Sequence, residues 1–415
     1  MLHVSKERRG ESPREHVQWT CDSDERREPK RAAGPPPGHP VGLDGRLRAG
    51  HGESGMTWFK IAANKGGMGM TLSRRDFVGS AAMAPLLLGM ATKAGAQAVN
   101  PDPYSYVDPE LAVALRKFPA GDGISAQNLA ATRAGDKNYS MSDAPELQPR
   151  KATVPGPGGE VPVLIIDPKP GATNRPATVY IHGGGYVAGR ADTNVQLAQD
   201  IAQGTGSMVV SVDYTLAPEA HFPKSLEQNY VALAWLHKNA GQFGVDPARI
   251  AVMGDSAGGG HAAMLAIAAR DRREIPVAFQ CLIYPMLDDR TGSTRPVPPY
   301  MGHFIWTAAE NRFGWTSLLG QPAGSPSVPP GSVPARMPDV SGLPPAFIGV
   351  GSIDLFCEED IEYARRLVHA GVNTELMVVP GAYHGFDVVT RDAKLSVEFR
   401  NAWQAALRRG LAISS

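Results

Sequence analysis

Cysteine is scarce. The 415 residues hold three (Cys21, Cys281 and Cys357), with no CxxC and no Cys/His spacing, which excludes a disulfide framework and a structural zinc site. Net charge is missing as well. Lys and Arg number 41 against 41 Asp and Glu, so no cationic excess exists to neutralise phosphates, and nucleic acid is excluded as the main partner. No uninterrupted apolar run reaches the roughly 18 residues of a membrane span, and no stable membrane anchor is expected. What remains is 42% hydrophobic and 20% charged, an ordinary globular balance, and its 46 Gly and 36 Pro imply many turns and loops.

The composition is uneven along the chain. Residues 1–55 carry ten Lys/Arg and nine Asp/Glu, few large apolar side chains and a Gly34-Pro35-Pro36-Pro37-Gly38 run. Such a stretch buries too little surface to offset its ordering entropy. Residues 1–70 therefore read as a disordered extension or a start-site artefact, with Met56, Met68 and Met70 as candidate initiators. Ser73-Arg74-Arg75-Asp76-Phe77-Val78 then leads into an uncharged stretch, Phe77 to Thr92, followed by Lys93 and Ala96-Gln97-Ala98. A basic flank, a short apolar core and an A-x-A site are the parts of an export signal, and the paired arginines resemble a twin-arginine signal. The expectation is a signal over 71–98, the twin-arginine export machinery as a partner, cleavage near Ala98 and a periplasmic or secreted product. The competing reading is an internal amphipathic helix.

From residue 99 onward, apolar β-branched runs alternate with helical patterns. Strands are expected at Val161–Ile166, Thr178–Ile181, Met208–Val212, Ile250–Met253, Phe279–Tyr284, Phe347–Val350 and Glu375–Val379. Helices are expected at Thr193–Gln203, Lys224–Ala240, Ala257–Arg270, Glu358–Ala370 and Leu395–Arg409. This alternation predicts an α/β fold with a mostly parallel sheet covered on both faces, and functional residues at the carboxyl ends of its strands. Two segments break the pattern: the polar, helix-like 100–150 and the proline-rich insertion 287–341, which carries Phe304, Trp306, Phe313 and Trp315. An aromatic insertion at the carboxyl edge reads as a lid; the plainer alternative is a packing or homodimer surface.

The chemistry-bearing residues follow the strands. Gly254-Asp255-Ser256-Ala257-Gly258 is a G-x-S-x-G between an apolar strand and a helix. That context strains the serine turn, exposes its oxygen and sets it beside a helix N-terminus. The plain alternative is a tight Gly/Ser turn. His182-Gly183-Gly184-Gly185 follows the strand at 178–181, and glycines there leave backbone N–H groups uncovered. Gly183, Gly184, Gly185 and Ala257 are thus candidate oxyanion donors. A phosphate-binding loop is disfavoured because neither glycine run ends in G-K-[ST]. His182 reads as a loop brace. His384, in a Gly-flanked loop after the last strand, suits a general base, and Asp354, after the preceding strand, suits the acid that orients it. Asp288 and Asp289 precede the insertion, and Glu358, Glu359 and Asp360 look like first-turn helix charges.

These residues carry a resemblance. His182–Gly185, Gly254–Gly259 (GDSAGG), Asp354, His384-Gly385-Phe386, Tyr214-Thr215-Leu216-Ala217-Pro218-Glu219 and Leu282-Ile283-Tyr284-Pro285 resemble, in that order, the hormone-sensitive-lipase-like (bacterial family IV) esterases of the α/β-hydrolase fold. The resemblance spans about residues 150 to 408. It implies Ser256 as nucleophile, His384 as base, Asp354 as orienting acid, and a helical cap from segments 100–150 and 287–341. It also implies activity on short to medium acyl esters without cofactor or metal. Tyr186 and Asp255 are expected to shape the substrate pocket. Two departures stand out: Thr215 replaces the family's usual arginine, leaving Glu219 without its expected cation, and Leu355 follows Asp354 where proline is common. Two other functions share the motifs: an amidase, deacetylase or arylformamidase using the same triad, and a catalytically inactive small-molecule-binding protein of the same fold.

Overall fold

A computed structural model describes residues 102–117, 123–135 and 144–413. The expected N-terminal extension and export signal lie outside the described residues, as does Cys21. Eight strands form one sheet: β1 (Arg150–Gly156), β2 (Gly159–Ile166), β3 (Arg175–Ile181), β4 (Met208–Val212), β5 (Val245–Asp255), β6 (Phe279–Ile283), β7 (Ala346–Gly351) and β8 (Thr374–Val379). Their spatial order is β1-β2-β4-β3-β5-β6-β7-β8. β2 runs antiparallel to β1 and β4, and every pairing from β4 to β8 is parallel.

The strand β1 was not expected. Only Arg150 falls within the polar, helix-like segment 100–150, and 151–156 precede the first expected strand, yet the seven residues pair with β2 through a tight turn, with Gly156 opposite Gly159. The register of an edge strand is set by its turn and by which side chains it buries. Val154 is fully buried and Ala152 half-buried, while Arg150, Lys151 and Thr153 are exposed and give no long apolar period.

The helices are α1 (Pro109–Leu115), α2 (Leu129–Gly135), α3 (Val195–Thr205), α4 (Lys224–Lys238), α5 (Ala257–Arg272), α6 (Ala308–Leu319), α7 (Cys357–His369), α8 (Phe386–Val389) and α9 (Lys394–Gly410). The period of two in the strands sorts them onto two faces. Val163, Ile165, Val179, Ile181, Val210, Val252 and Ile348 join one core with Leu233 of α4, Leu265 of α5 and Leu367 of α7. Their chain neighbours Leu164, Ile166, Tyr180, Val209, Met253 and Phe347 join a second core with Ile201 of α3 and Phe399 and Trp403 of α9. Helix α5 packs against β3, β5 and β6 and against α4, and is buried along nearly its whole length, which explains its run of Gly and Ala and its lack of a polar stripe.

The segment between β6 and β7 folds back as α6. Thr307 and Glu310 close a reciprocal capping box at its start, and Glu310 also accepts from the Ile124 N–H at 2.9 Å. One carboxylate therefore ties the insertion to the N-terminal segment. Trp315 is fully buried and Trp306 nearly so. No helix among the described residues is long and apolar enough to cross a membrane.

Candidate active site

Strand β5 ends at Asp255 and α5 begins at Ala257, so one residue makes the turn. Ser256 makes it at φ 53°, ψ −121°, a conformation that costs a residue with a side chain roughly 1–3 kcal/mol. A serine in front of a helix ordinarily gives its oxygen to the first-turn N–H groups. Ser256 makes no such cap bond. Three backbone bonds hold the turn instead: the Ser256 N–H donates to the Ile283 carbonyl at 2.8 Å, and its own carbonyl accepts from Gly260 at 3.0 Å and Met286 at 2.9 Å. The crossing is so close that a Cβ on Gly258 would lie 2.0 Å from the Ile181 carbonyl oxygen.

The hydroxyl that the cap does not use meets His384. Ser256 Oγ lies 2.9 Å from His384 Nε2, and His384 Nδ1 lies 2.8 Å from Asp354 Oδ2. A carboxylate only accepts, so Nδ1 carries the hydrogen and Nε2 accepts from the serine. The other Asp354 oxygen accepts from the Phe356 N–H at 2.9 Å, which fixes the carboxylate. All three side chains are buried to the same degree or more: Ser256 and His384 are 6% exposed and Asp354 1%. Tyr284 and Phe356 stand edge-on to the imidazole, with ring centres 4.9 and 5.2 Å away. Sequence reasoning did not find these two walls, because each is one aromatic among many and only the sheet brings it to the histidine.

The loop after β3 is tied by its carbonyls. The Tyr214 hydroxyl donates to the His182 carbonyl at 3.0 Å, the His182 Nδ1–H donates to the Gly183 carbonyl at 2.8 Å, and Val187 and Ala188 N–H groups both donate to the Gly184 carbonyl. The N–H groups of its glycines are not tied. Among the described residues, those of Gly183, Gly184, Gly185 and Ala257 donate to no protein acceptor. His182 stacks on Tyr214 with centroids 4.4 Å apart, which is the bracing position expected of it. Trp306 from the insertion closes over Gly185, where a Cβ would lie 2.0 Å from the indole edge.

This arrangement and the order of its motifs find counterparts among known proteins. Residues 178–388 match the family described as the alpha/beta hydrolase fold. The chain belongs to it, among the hormone-sensitive-lipase-like esterases. It is 34% identical over 314 residues to the carboxylesterase NlhH of Mycobacterium tuberculosis, across 74% of this chain and 96% of that one. A solved bacterial heroin esterase superposes with a TM-score of 0.68 at 34% identity, covering 75% of this chain and 99% of that one. A hyperthermophilic esterase from the archaeon Pyrobaculum calidifontis superposes with a TM-score of 0.64 at 30% identity, covering 74% and 99%. The protein is a serine hydrolase.

Two expectations for this hydrolase need correction, and a third gains detail. Tyr186 does not wall the substrate site: it is 1% exposed, donates its hydroxyl to the Met286 carbonyl at 2.9 Å and packs edge-on against His261 and Trp315. Its ring belongs to the core behind the glycine loop. Glu359 and Asp360 do lie in the first turn of α7, as expected. Both are buried, and Glu359 accepts from the Leu287 and Asp288 N–H groups at 2.7 and 3.1 Å, pinning the start of the insertion. Burial pushes both carboxyls well above the usual carboxylate range. Glu219, finally, does have a cation: Arg133 of α2 reaches it at 2.6 Å. No periodicity links residues 86 positions apart, so the sequence offered no sign of the pair.

Asp255 faces a small cavity of about 70 Å³ that Asp200 and Asp387 also line. The Tyr180 hydroxyl donates to Asp255 at 2.7 Å and the Tyr284 hydroxyl donates to Asp387 at 3.0 Å. Burial raises the Asp255 carboxyl, and pushes the Asp387 carboxyl up to about 6 against the pull of its tyrosine. Burial also raises both thiols, Cys357 to about 12, which leaves neither as a ready nucleophile at neutral pH. No group of three or more His, Cys, Asp or Glu among the described residues is placed to hold a metal ion.

Two outcomes follow from this geometry. Gly258→Ala drives a methyl group into two carbonyls of the β3 end and is expected to lose roughly 3 kcal/mol or more in urea unfolding. For Asp387, the folded state holds the proton more tightly than the unfolded chain does. Its contribution to stability is therefore full below about pH 4 and is lost as pH rises through about 6. Asp387→Asn is expected to raise Tm relative to wild type at pH 7, by up to about 3 kcal/mol in stability, with the gain vanishing at pH 4.

Proposed function

We propose that this hydrolase cleaves short- to medium-chain carboxylic esters through an acyl-enzyme on Ser256. The observation that carries the reading is the continuous hydrogen-bonded relay from Ser256 Oγ through His384 to Asp354, beside backbone N–H groups that the protein leaves unused. The ester carbonyl oxygen lies towards the N–H groups of Gly183, Gly184, Gly185 and Ala257. His384 Nε2 takes the Ser256 proton as the oxygen attacks the carbonyl carbon, and Asp354 stabilises the imidazolium. The backbone donors hold the tetrahedral oxyanion, each worth on the order of 100- to 1000-fold in rate. The imidazolium then protonates the leaving alcohol. Water, deprotonated by the same imidazole, attacks the acyl-enzyme and releases the acid. The names of the relatives, carboxylesterase and esterase, favour ester over amide chemistry.

A p-nitrophenyl ester series from acetate to palmitate, run beside anilides and N-formyl aromatics, tests the substrate class. Rates are expected to peak between acetate and octanoate, and to exceed those on the anilides and formamides. Ser256→Ala is expected to lose on the order of 10⁵-fold in kcat with Tm preserved. Ester turnover surviving that substitution contradicts the mechanism, and faster formamide or anilide cleavage contradicts the substrate class.

We also propose that the chain is exported, on the strength of Arg74-Arg75, the apolar stretch that follows and Ala96-Gln97-Ala98. In a fractionated bacterial host, Arg74→Lys with Arg75→Lys is expected to hold the activity in the cytoplasm. Unchanged periplasmic activity counts against a twin-arginine route.

A further inference from the structure

Helix α2 buries no side chain, yet one of its residues makes four hydrogen bonds to the body of the domain. The Arg133 guanidinium donates to both oxygens of Glu219 at 2.6 and 3.0 Å, to the Ala217 carbonyl at 2.8 Å and to the Val187 carbonyl at 2.7 Å. Val187 is two residues past Gly185, and its N–H donates to the Gly184 carbonyl at 3.0 Å. Ala217, at the other end of the fork, donates its N–H to the Tyr186 carbonyl at 2.9 Å. One planar group thus joins the glycine loop, the Tyr214–Glu219 loop and the N-terminal cap segment. Thr215 cannot substitute for it: its side chain is neutral, its N–H donates to Gln228 and its hydroxyl accepts from Gln228.

We propose that Arg133 is a positioning residue: it couples the N-terminal cap segment to the glycine loop, so that seating this segment holds the Gly183–Gly185 N–H groups in place beside Ser256. The proposal rests on the acyl-transfer reading above. A run of three glycines has little stiffness of its own and depends on external bonds for its shape. The ion pair itself is partly exposed, with side-chain exposures of 25% for Arg133 and 57% for Glu219, so charge alone contributes little. What distinguishes this contact is the fork, which spans a carboxylate and two carbonyls at once; a lysine ammonium has no such geometry. Arg133 reaches the loop from outside, through Val187, and acts on the reaction only through the loop's donors.

The test compares wild type, Arg133→Ala, Arg133→Lys and the double variant Arg133→Ala/Thr215→Arg. It measures kcat and KM on p-nitrophenyl butyrate and the inhibition constant of a trifluoromethyl ketone, whose hemiketal oxyanion needs the same donors. Arg133→Ala is expected to lose about tenfold in kcat, less than the ~100-fold of a deleted oxyanion donor. KM should move less than about twofold, and ketone affinity should fall in step with kcat. Arg133→Lys, which keeps the charge at a part-exposed position and is expected to keep Tm, should recover little of the loss. The double variant should recover little as well, since an arginine at 215 serves Glu219 without tying α2. Unchanged kcat in Arg133→Lys, or full recovery in the double variant, overturns the proposal and leaves Arg133 as a counter-charge for Glu219. A wild-type protein that does not hydrolyse the ester overturns it together with the acyl-transfer reading; an active wild type with an unmoved Arg133→Lys overturns the tie alone.

Discussion

Ser256 occupies a backbone conformation that residues with side chains avoid, and the site depends on keeping it there. At φ 53° the serine oxygen swings off the helix it precedes and toward His384 Nε2. The strain is opposed by bonds to Ile283, Gly260 and Met286, which come from the neighbouring strand, the following helix turn and the start of the insertion. It is permitted by Gly258, whose missing side chain lets α5 pass within contact of the β3 end. Relaxing any of these would let the serine act as an ordinary helix cap, with its oxygen spent on backbone N–H groups.

The sheet converts this local turn into a meeting place. Parallel strands put all their carboxyl ends on one edge, so β3, β5, β7 and β8 deliver the glycine loop, Ser256, Asp354 and His384 to the same rim. Strand alternation, shared between two cores, holds that rim rigid from both faces. Rigidity matters because a relay of 2.8 and 2.9 Å tolerates little misplacement. The insertion contributes from above, where Trp306 lies over Gly185 and a pinned Glu359 fixes where the insertion leaves the sheet.

Much of this was legible in the sequence because it is local. The seven strands after β1 announce themselves as short apolar runs, and Gly254–Gly258 encodes its own turn through its glycines. The four groups of the site each follow a strand, and a parallel sheet supplies the convergence without further information. What was not legible depends on distant partners. Val154 is the one fully buried side chain of β1, with Ala152 half-buried beside it, and so short a pattern makes no clear period. Tyr186, next to the glycine run, reads as a pocket wall, and only its bond to the Met286 carbonyl and its contact with the Trp315 ring assign it to the core. Glu359 and Asp360 do start α7, but their burial comes from the fold and leaves no local sign. The cation for Glu219 comes from α2 rather than from the neighbouring Thr215, a substitution in space that no local pattern records.

The central claim is that the Ser256 oxygen is the one nucleophile the molecule activates, and that His384 activates it. The most direct measurement is covalent: treat the full chain with a fluorophosphonate, digest it and locate the adduct by peptide mass. The account predicts a single phosphonyl group on Ser256, forming at a rate that collapses in His384→Ala. An adduct on another residue in an active protein, or equal labelling of Ser256 without the imidazole, would contradict it.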